Sequence, residues 1–414
     1  MTESRKVPKL RFPEFSGDWE QRKVSECVSF FSGKGLSKSD IKNNGKYSCI
    51  LYGNLYTDYG MIISNVFHKT DVLPQSALFS INGDVLVPGS DTTPTGLARA
   101  SSIEVDNVLL GGDINVLRPN KEVNGSFLSL SLNINRNQML KLIKGSTVRH
   151  IHNKDIGTIS FFLPTNLENQ IKIVNLFKNL DSAITLHQRK LETLKKVKKS
   201  LLQKMFPKKG EKIPEIRFPE FSGDWEQCKF SDHVETRRGL TYKPSDVCVN
   251  GIRVLRSSNI NEDSYLSKED DIFVNEDAVK IPYAKNGDIL ITSANGSSRL
   301  VGKHAIIRGI ADNSAVHGGF MILASSKNPY FYNASMSSNW YKNFIKLFSM
   351  GGNGAIGNLS KNDLDKQIIR IPSNAEQNKI GDLFKQYDSI ITLHQRKLEV
   401  LNKLKKAMLQ NMFV

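Results

Sequence analysis

From Ile173 onward, apolar residues recur in alternating steps of four and three. Ile173, Phe177, Leu180, Ile184, His187, Leu191, Leu194, Lys198, Leu201 and Met205 make one such seam. A second follows the same spacing with the same polar exceptions: Ile380, Phe384, Tyr387, Ile391, His394, Leu398, Leu401, Lys405, Met408 and Met412. A heptad repeat of this kind is a coiled-coil seam. It predicts a helix from about Glu168 to Met205, roughly 55–60 Å long at 1.5 Å rise per residue. A helix of that length is more than a small domain buries alone, so the two are expected to pair. Pro164 and Pro372 before the helices and Pro207 after the first mark their boundaries. Two like units in one chain close most simply about a pseudo-twofold axis. That predicts antiparallel pairing, with the remaining residues as blocks at opposite ends.

The repetition extends beyond the helices. Arg11 to Gln21 reads RFPEFSGDWEQ, and Arg217 to Gln227 reads the same eleven residues. Ile184 to Glu192 reads ITLHQRKLE, as does Ile391 to Glu399. The offsets of 206 and 207 are half of the 414-residue chain, so one unit is written twice: opening segment, variable block, long helix. The blocks share only a skeleton. Asn82-Gly83-Asp84-Val85-Leu86 matches Asn286-Gly287-Asp288-Ile289-Leu290, Gly111-Gly112 matches Gly318-Gly319, and Leu163-Pro164 matches Ile371-Pro372. Each Asn-Gly predicts a tight hairpin. The expected divisions are residues 1–165, a block with its opening segment; 166–207, a helix; 208–372, a second block; and 373–414, a second helix. The fold class is α+β, with two blocks of similar fold and different surfaces.

Charge points to the partner. Lys and Arg total 57 against 41 Asp and Glu, and the net +16 favours a polyanion. Nucleic acid leads. A membrane surface is the alternative, but no apolar run approaches the roughly 18 residues of a spanning helix. The opening MTESRKVPKL lacks the apolar core of a secretory signal, so a reducing cytoplasm is expected. Cys27, Cys49, Cys228 and Cys248 form no CxxC pair and read as plain thiols.

A search for catalytic chemistry finds little. Gly352-Asn353-Gly354-Ala355-Ile356-Gly357 fits GxGxxG, but a helical stretch around Trp340 to Met350 precedes it where a dinucleotide loop needs a strand. Asn328-Pro329-Tyr330 reads as a turn. His150 and His152 put two imidazoles on one face of a strand, which suits a metal or a phosphate, but no third ligand stands nearby. His187 and His394 hold equivalent seam positions, where polar residues fix register, and Lys198 with Lys405 is the same case. The run Lys195, Lys196, Lys198 and Lys199 reads as a solvated helix end or as a DNA contact. DNA-binding candidates are basic residues beside glycine, serine and threonine, where side chains and free amides reach phosphates and base edges. In the first block these are Lys34, Lys38, Arg99 and Arg149; in the second, Arg237, Arg238, Arg256, Arg299 and Lys303. Asn54, Asn259 and Asn295 are candidates for reading adenine. Helix-pairing candidates are Phe177, Leu180, Ile184, His187, Leu191 and Leu194, with Phe384, Tyr387, Ile391, His394, Leu398 and Leu401.

These duplicated blocks, the repeated GDWEQ segments and the repeated Leu-His-Gln-Arg-Lys-Leu-Glu helices resemble the specificity subunit of a type I restriction-modification system. The resemblance covers the whole chain, and its most specific part is Gln170 to Met205 with Gln377 to Met412. It implies two target recognition domains, each reading half of a bipartite, asymmetric double-stranded DNA site, with the helices setting the spacer. It implies two methyltransferase subunits and motor-endonuclease subunits as partners. S-adenosylmethionine, ATP and magnesium are then expected on those partners and no cofactor or catalysis in this chain. Two other classes fit the sequence less well. A methyltransferase or nuclease fused to its own recognition domains needs about another domain's length. A scaffold or RNA binder explains the charge but not divergence confined to the blocks.

Overall fold

The structure, a computed structural model, describes residues 7–348 and 358–414. By internal contacts it forms two compact units, Met1–Gln188 with Lys397–Val414, and Arg189–Arg396.

The first unit contains strand β1 (Glu20–Lys23), the central strands β2 (Val28–Ser32), β3 (Ile62–Ile63), β4 (Val85–Pro88), β6 (Ser101–Ile103) and β7 (Ile114–Pro119), and a separate short ribbon. That ribbon pairs β5 (Ser90–Asp91) with β8 (Arg149–His150). The last strand, β9 (Ser160–Leu163), leads into helix α1 (Leu167–Lys204). The central sheet runs β2-β7-β4-β6-β3, antiparallel except for its last pair. Strand β4 is buried along its whole length, because both faces of the sheet are covered. Alternation sends Val85 and Val87 into one core, with Phe127 and Phe177, and Leu86 into the other, with Ile50 and Val116.

The second unit repeats this plan. Strand β10 (Glu226–Lys229) pairs with β15 (Ile368–Ile371), as β1 pairs with β9. The central sheet runs β11 (Glu235–Arg238), β14 (Met321–Ser325), β12 (Ile289–Thr292), β13 (His304–Ile306). Ile289 and Ile291 face one core and Leu290 the other. Helix α2 (Asn374–Asn411) follows β15.

The repeated opening segment clips each block to the helix that follows it. Trp19 and Trp225 are buried in their cores, Lys172 pairs with Glu14 at 2.6 Å, and Lys379 pairs with Glu220. An identical contact in both units explains identical sequence. Gly33 and Gly239 also match. A side chain on either would run into the backbone of Gly111 or Gly318, which accounts for glycine at positions 33 and 239.

Helix α1 starts and ends one residue before the expected Glu168 and Met205, while α2 ends at Asn411, three residues short of the expected 414. In the first unit, Ile173, Val174 and Phe177 near the start of α1 share a core with Met412 and Phe413 at the end of the chain. In the second, Leu202, Met205 and Phe206 meet Ile380 and Phe384 near the start of α2. Within each unit the two helix segments are therefore antiparallel. Lys405 reaches Asp181 in the first unit and Lys198 reaches Asp388 at 2.7 Å in the second, the same ion pair by repeat. Burial raises the cost of a charge on Lys198, yet Asp388 and Asp263 outweigh it and hold the pKa above its ordinary value. Phe177, Ile184, Phe384, Ile391 and His394 are buried, and Leu180, His187, Leu191, Leu194, Tyr387, Leu398 and Leu401 are half-buried, so the seam faces inward.

Two local expectations are corrected. Asn82-Gly83 and Asn286-Gly287 do form turns, closed by Asp84 N–H to Ile81 and Asp288 N–H to Lys285, but not hairpins. Only the glycine has positive φ, +97° in both, which is the second central position of a type II turn. Such a turn leads into β4 and β12 without pairing the strands on either side. Asn328-Pro329-Tyr330 opens a helix, Pro329–Met336, with proline at a first-turn position where its missing N–H is not needed. The GxGxxG segment lies outside the described residues.

Candidate nucleic-acid interface

In the first unit, the ribbon of β5 and β8 brings together the segment after β5, which contains the short helix Pro94–Leu97, and the loop 144–148 before β8. Arg149 stands directly across from Asp91. His150 and His152 stack with ring centroids 6.2 Å apart and nearly parallel. Arg99 follows the first segment, is half-buried, and donates to the Tyr59 carbonyl at 3.2 Å. Burial, with the neighbouring Arg136 guanidinium, lowers its pKa below the ordinary arginine value. Arg136 itself is exposed and donates to the Thr95 carbonyl in the helix Pro94–Leu97. Two guanidiniums thus flank one segment, and neither has a carboxylate partner among the described residues. An anion is the complement to that arrangement. Lys34 and Lys38 are exposed on the segment after β2, whose backbone bonds to Leu110 and Gly112.

In the second unit the corresponding edge carries the loop after β12. Asn295 donates to Ser257 Oγ at 2.9 Å and so ties this loop to the turn beginning at Arg256. Arg299 is exposed on the loop, and Arg238 is exposed at the end of β11. Arg256 is half-buried, with one guanidinium nitrogen on the Asp270 carbonyl. The structure brings Arg238, Arg256, Arg299 and Asn295 together around this edge, but not the other candidates. Arg237 points inward to Asp288 at 3.4 Å and to Ser325, so its charge is used within the block. Lys303 lines a groove of about 650 Å³ against α1, with Lys195, Lys198, Lys199, Lys342 and Lys346. Asn54 and Asn259 hold matching turns. The side-chain oxygen of each accepts a backbone N–H three residues earlier, from Leu51 and Arg256, and Asn259 is fully buried. Their NH2 groups are used as well, that of Asn54 on Asp58 and that of Asn259 on the Leu266 carbonyl and Asp271.

Sequence reasoning missed Arg136, which lies in a helix with no glycine or serine-rich motif to flag it. Among the described residues no group of three or more His, Cys, Asp or Glu side chains is placed to hold a metal. No described helix is long and apolar enough to cross a membrane.

Residues 16–196 and 222–403 each match the family described as Type I restriction modification DNA specificity domain. The chain belongs to that family. As a specificity subunit it carries DNA recognition and not the catalysis of a restriction-modification enzyme, and its two family domains are the two copies read from the sequence. It is similar to the type I restriction enzyme MjaVIII specificity subunit of Methanocaldococcus jannaschii, with 22% identity across 97% of this chain and 92% of that one. Its fold is that of a type I restriction-modification system S subunit from M. genitalium, at a TM-score of 0.65, 15% identity and 99% coverage of both chains.

Proposed function

We propose that this specificity subunit reads a bipartite, asymmetric sequence in double-stranded DNA, one half with each block. The observation that supports this reading is a repeated frame whose equivalent edges carry different polar and basic residues: Arg99, Arg136, Arg149 and His150 in one block, and Arg238, Arg256, Asn295 and Arg299 in the other. A shared frame with unlike edges suits two different half-sites. Phosphate contacts supply affinity and position, and base-edge contacts supply the code. By family membership the chain acts with two methyltransferase subunits, which modify adenine, and with motor-endonuclease subunits. S-adenosylmethionine, ATP and magnesium belong on those partners.

Methylation mapping of cells with and without this chain, partner subunits present, tests the reading. One two-part adenine motif disappears with the chain; an unchanged methylome overturns the proposal. In vitro, binding falls steeply with salt, the logarithmic slope being about 0.9 per phosphate contact. A flat salt response contradicts it.

A further inference from the structure

Phe320 is 73% exposed, although its neighbour Met321 is buried. Its main chain is not loose. The Phe320 carbonyl accepts N–H bonds from Ser293 at 2.9 Å and Ala294 at 3.2 Å, and a Gly318–Met321 turn of 2.8 Å closes beneath it. The main chain that carries the ring is therefore held beside the start of the loop with Asn295 and Arg299. Arg238 is close by along the sheet, paired across the strands with Ile322, two residues after Phe320. An exposed apolar ring on a held main chain thus stands at the edge that also carries the exposed Arg238 and Arg299. The equivalent position of the first block, 207 residues earlier, is Asp113. There the residue is exposed too, but polar, and its carboxylate accepts a bond from Ser90 Oγ at 2.9 Å. The frame accommodates a polar, self-satisfied residue at this position, so an exposed phenylalanine is not a demand of folding.

We propose that Phe320 is a specificity-determining residue of the second half-site, in apolar contact with the 5-methyl group of a thymine in the major groove. This rests on the reading of the chain as a two-part DNA reader. Of the features base pairs present in the major groove, the thymine methyl is the one an apolar side chain recognises, while the flanking guanidiniums suit guanine or phosphate. Phe320 therefore supplies a discrimination that the polar residues of the edge do not.

The test uses the full chain with its methyltransferase subunits, on DNA carrying the site found by methylation mapping. Each thymine of the second half-site is replaced in turn by deoxyuridine, which removes only the methyl. The wild type is expected to lose roughly three- to fivefold in affinity at one thymine, about the value of one buried methyl. Phe320→Ala lowers affinity for the site about tenfold and abolishes that difference; Phe320→Leu keeps most of both. Deoxyuridine in the first half-site affects wild type and variant alike. A Phe320→Ala protein with wild-type affinity and wild-type response to deoxyuridine overturns the proposal, as does equal loss of reading in both halves. A wild type that does not distinguish the site from scrambled DNA instead defeats the underlying reading.

Discussion

Asp84 and Asp288 occupy the same place in the two blocks, buried just before the central strand, yet the arginine that neutralises each comes from a different strand. Arg118, on β7, meets Asp84 through two nitrogens at 2.8 Å while its guanidinium lies 4.7 Å from the centre of the Phe31 ring. In the second block the position of Phe31 is held by Arg237, on β11, which reaches Asp288, and the position of Arg118 is held by Ser325, whose hydroxyl donates to Asp288 at 2.7 Å. Phenylalanine with arginine has become arginine with serine. The frame requires a satisfied aspartate and leaves open which strand supplies the cation. Divergence between the blocks thus reaches under the surface, and a basic residue in a variable block is not for that reason a DNA contact.

The largest expected effect follows from that exchange. Arg118→Ala leaves Asp84 buried and unpaired and is expected to lower stability by about 3–4 kcal/mol in denaturant unfolding. Arg237→Ala is expected to lose about 2 kcal/mol, because the Ser325 hydroxyl still bonds Asp288. Moving the arginine in the first block, by Phe31→Arg with Arg118→Ser, recovers at least half of the Arg118→Ala loss. A double variant no better than Arg118→Ala shows that the two arrangements are not interchangeable.

Acid separates the blocks next. His317 is buried, with Nε2 on the Arg237 carbonyl, and burial pushes its pKa down to about 4. Leu110 stands at the equivalent position of the first block. The folded state keeps His317 neutral while the unfolded chain protonates it near 6.5, so its contribution is complete above pH 6.5. It is lost as pH falls from there toward 4, by up to about 3 kcal/mol. Hydrogen exchange is expected to show β12 and β14 loosening before β4 and β7 across that range, and His317→Leu reduces the difference. Equal loosening of both sheets contradicts the account.

The helix ion pairs give the smallest contrast. Lys198 has two carboxylates, Asp388 and Asp263, whereas Lys405 has Asp181. Lys198→Met is expected to lower stability by about 2 kcal/mol and Lys405→Met by about 1, since the first leaves more charge unpaired and less exposed. Reversed magnitudes break the assignment.

The helices, their register and the doubling were readable from the sequence because a heptad seam and an eleven-residue identity are local signals. The seam lysines were recognised as polar register positions, though their aspartate partners were not, since those lie on the opposite helix far away in sequence. The blocks were less readable. Asn82-Gly83 and Asn286-Gly287 announce turns, but whether strands on either side of a turn pair is decided by the sheets they join. Arg237, Lys303 and Asn259 carry the right chemistry for DNA; three-dimensional neighbours turn the first into a core ion pair, place the second against α1 and bury the third in a turn. Phe320 shows the reverse case, a residue type expected inside that the fold leaves outside.

The most direct test of two-part reading is replacement of the second block, residues 230–367, by that of another specificity subunit, followed by methylation mapping with partner subunits present. The account predicts a hybrid motif in which the half read by residues 24–159 is unchanged and the other half takes the donor's sequence. A motif altered in both halves, or in neither, contradicts it.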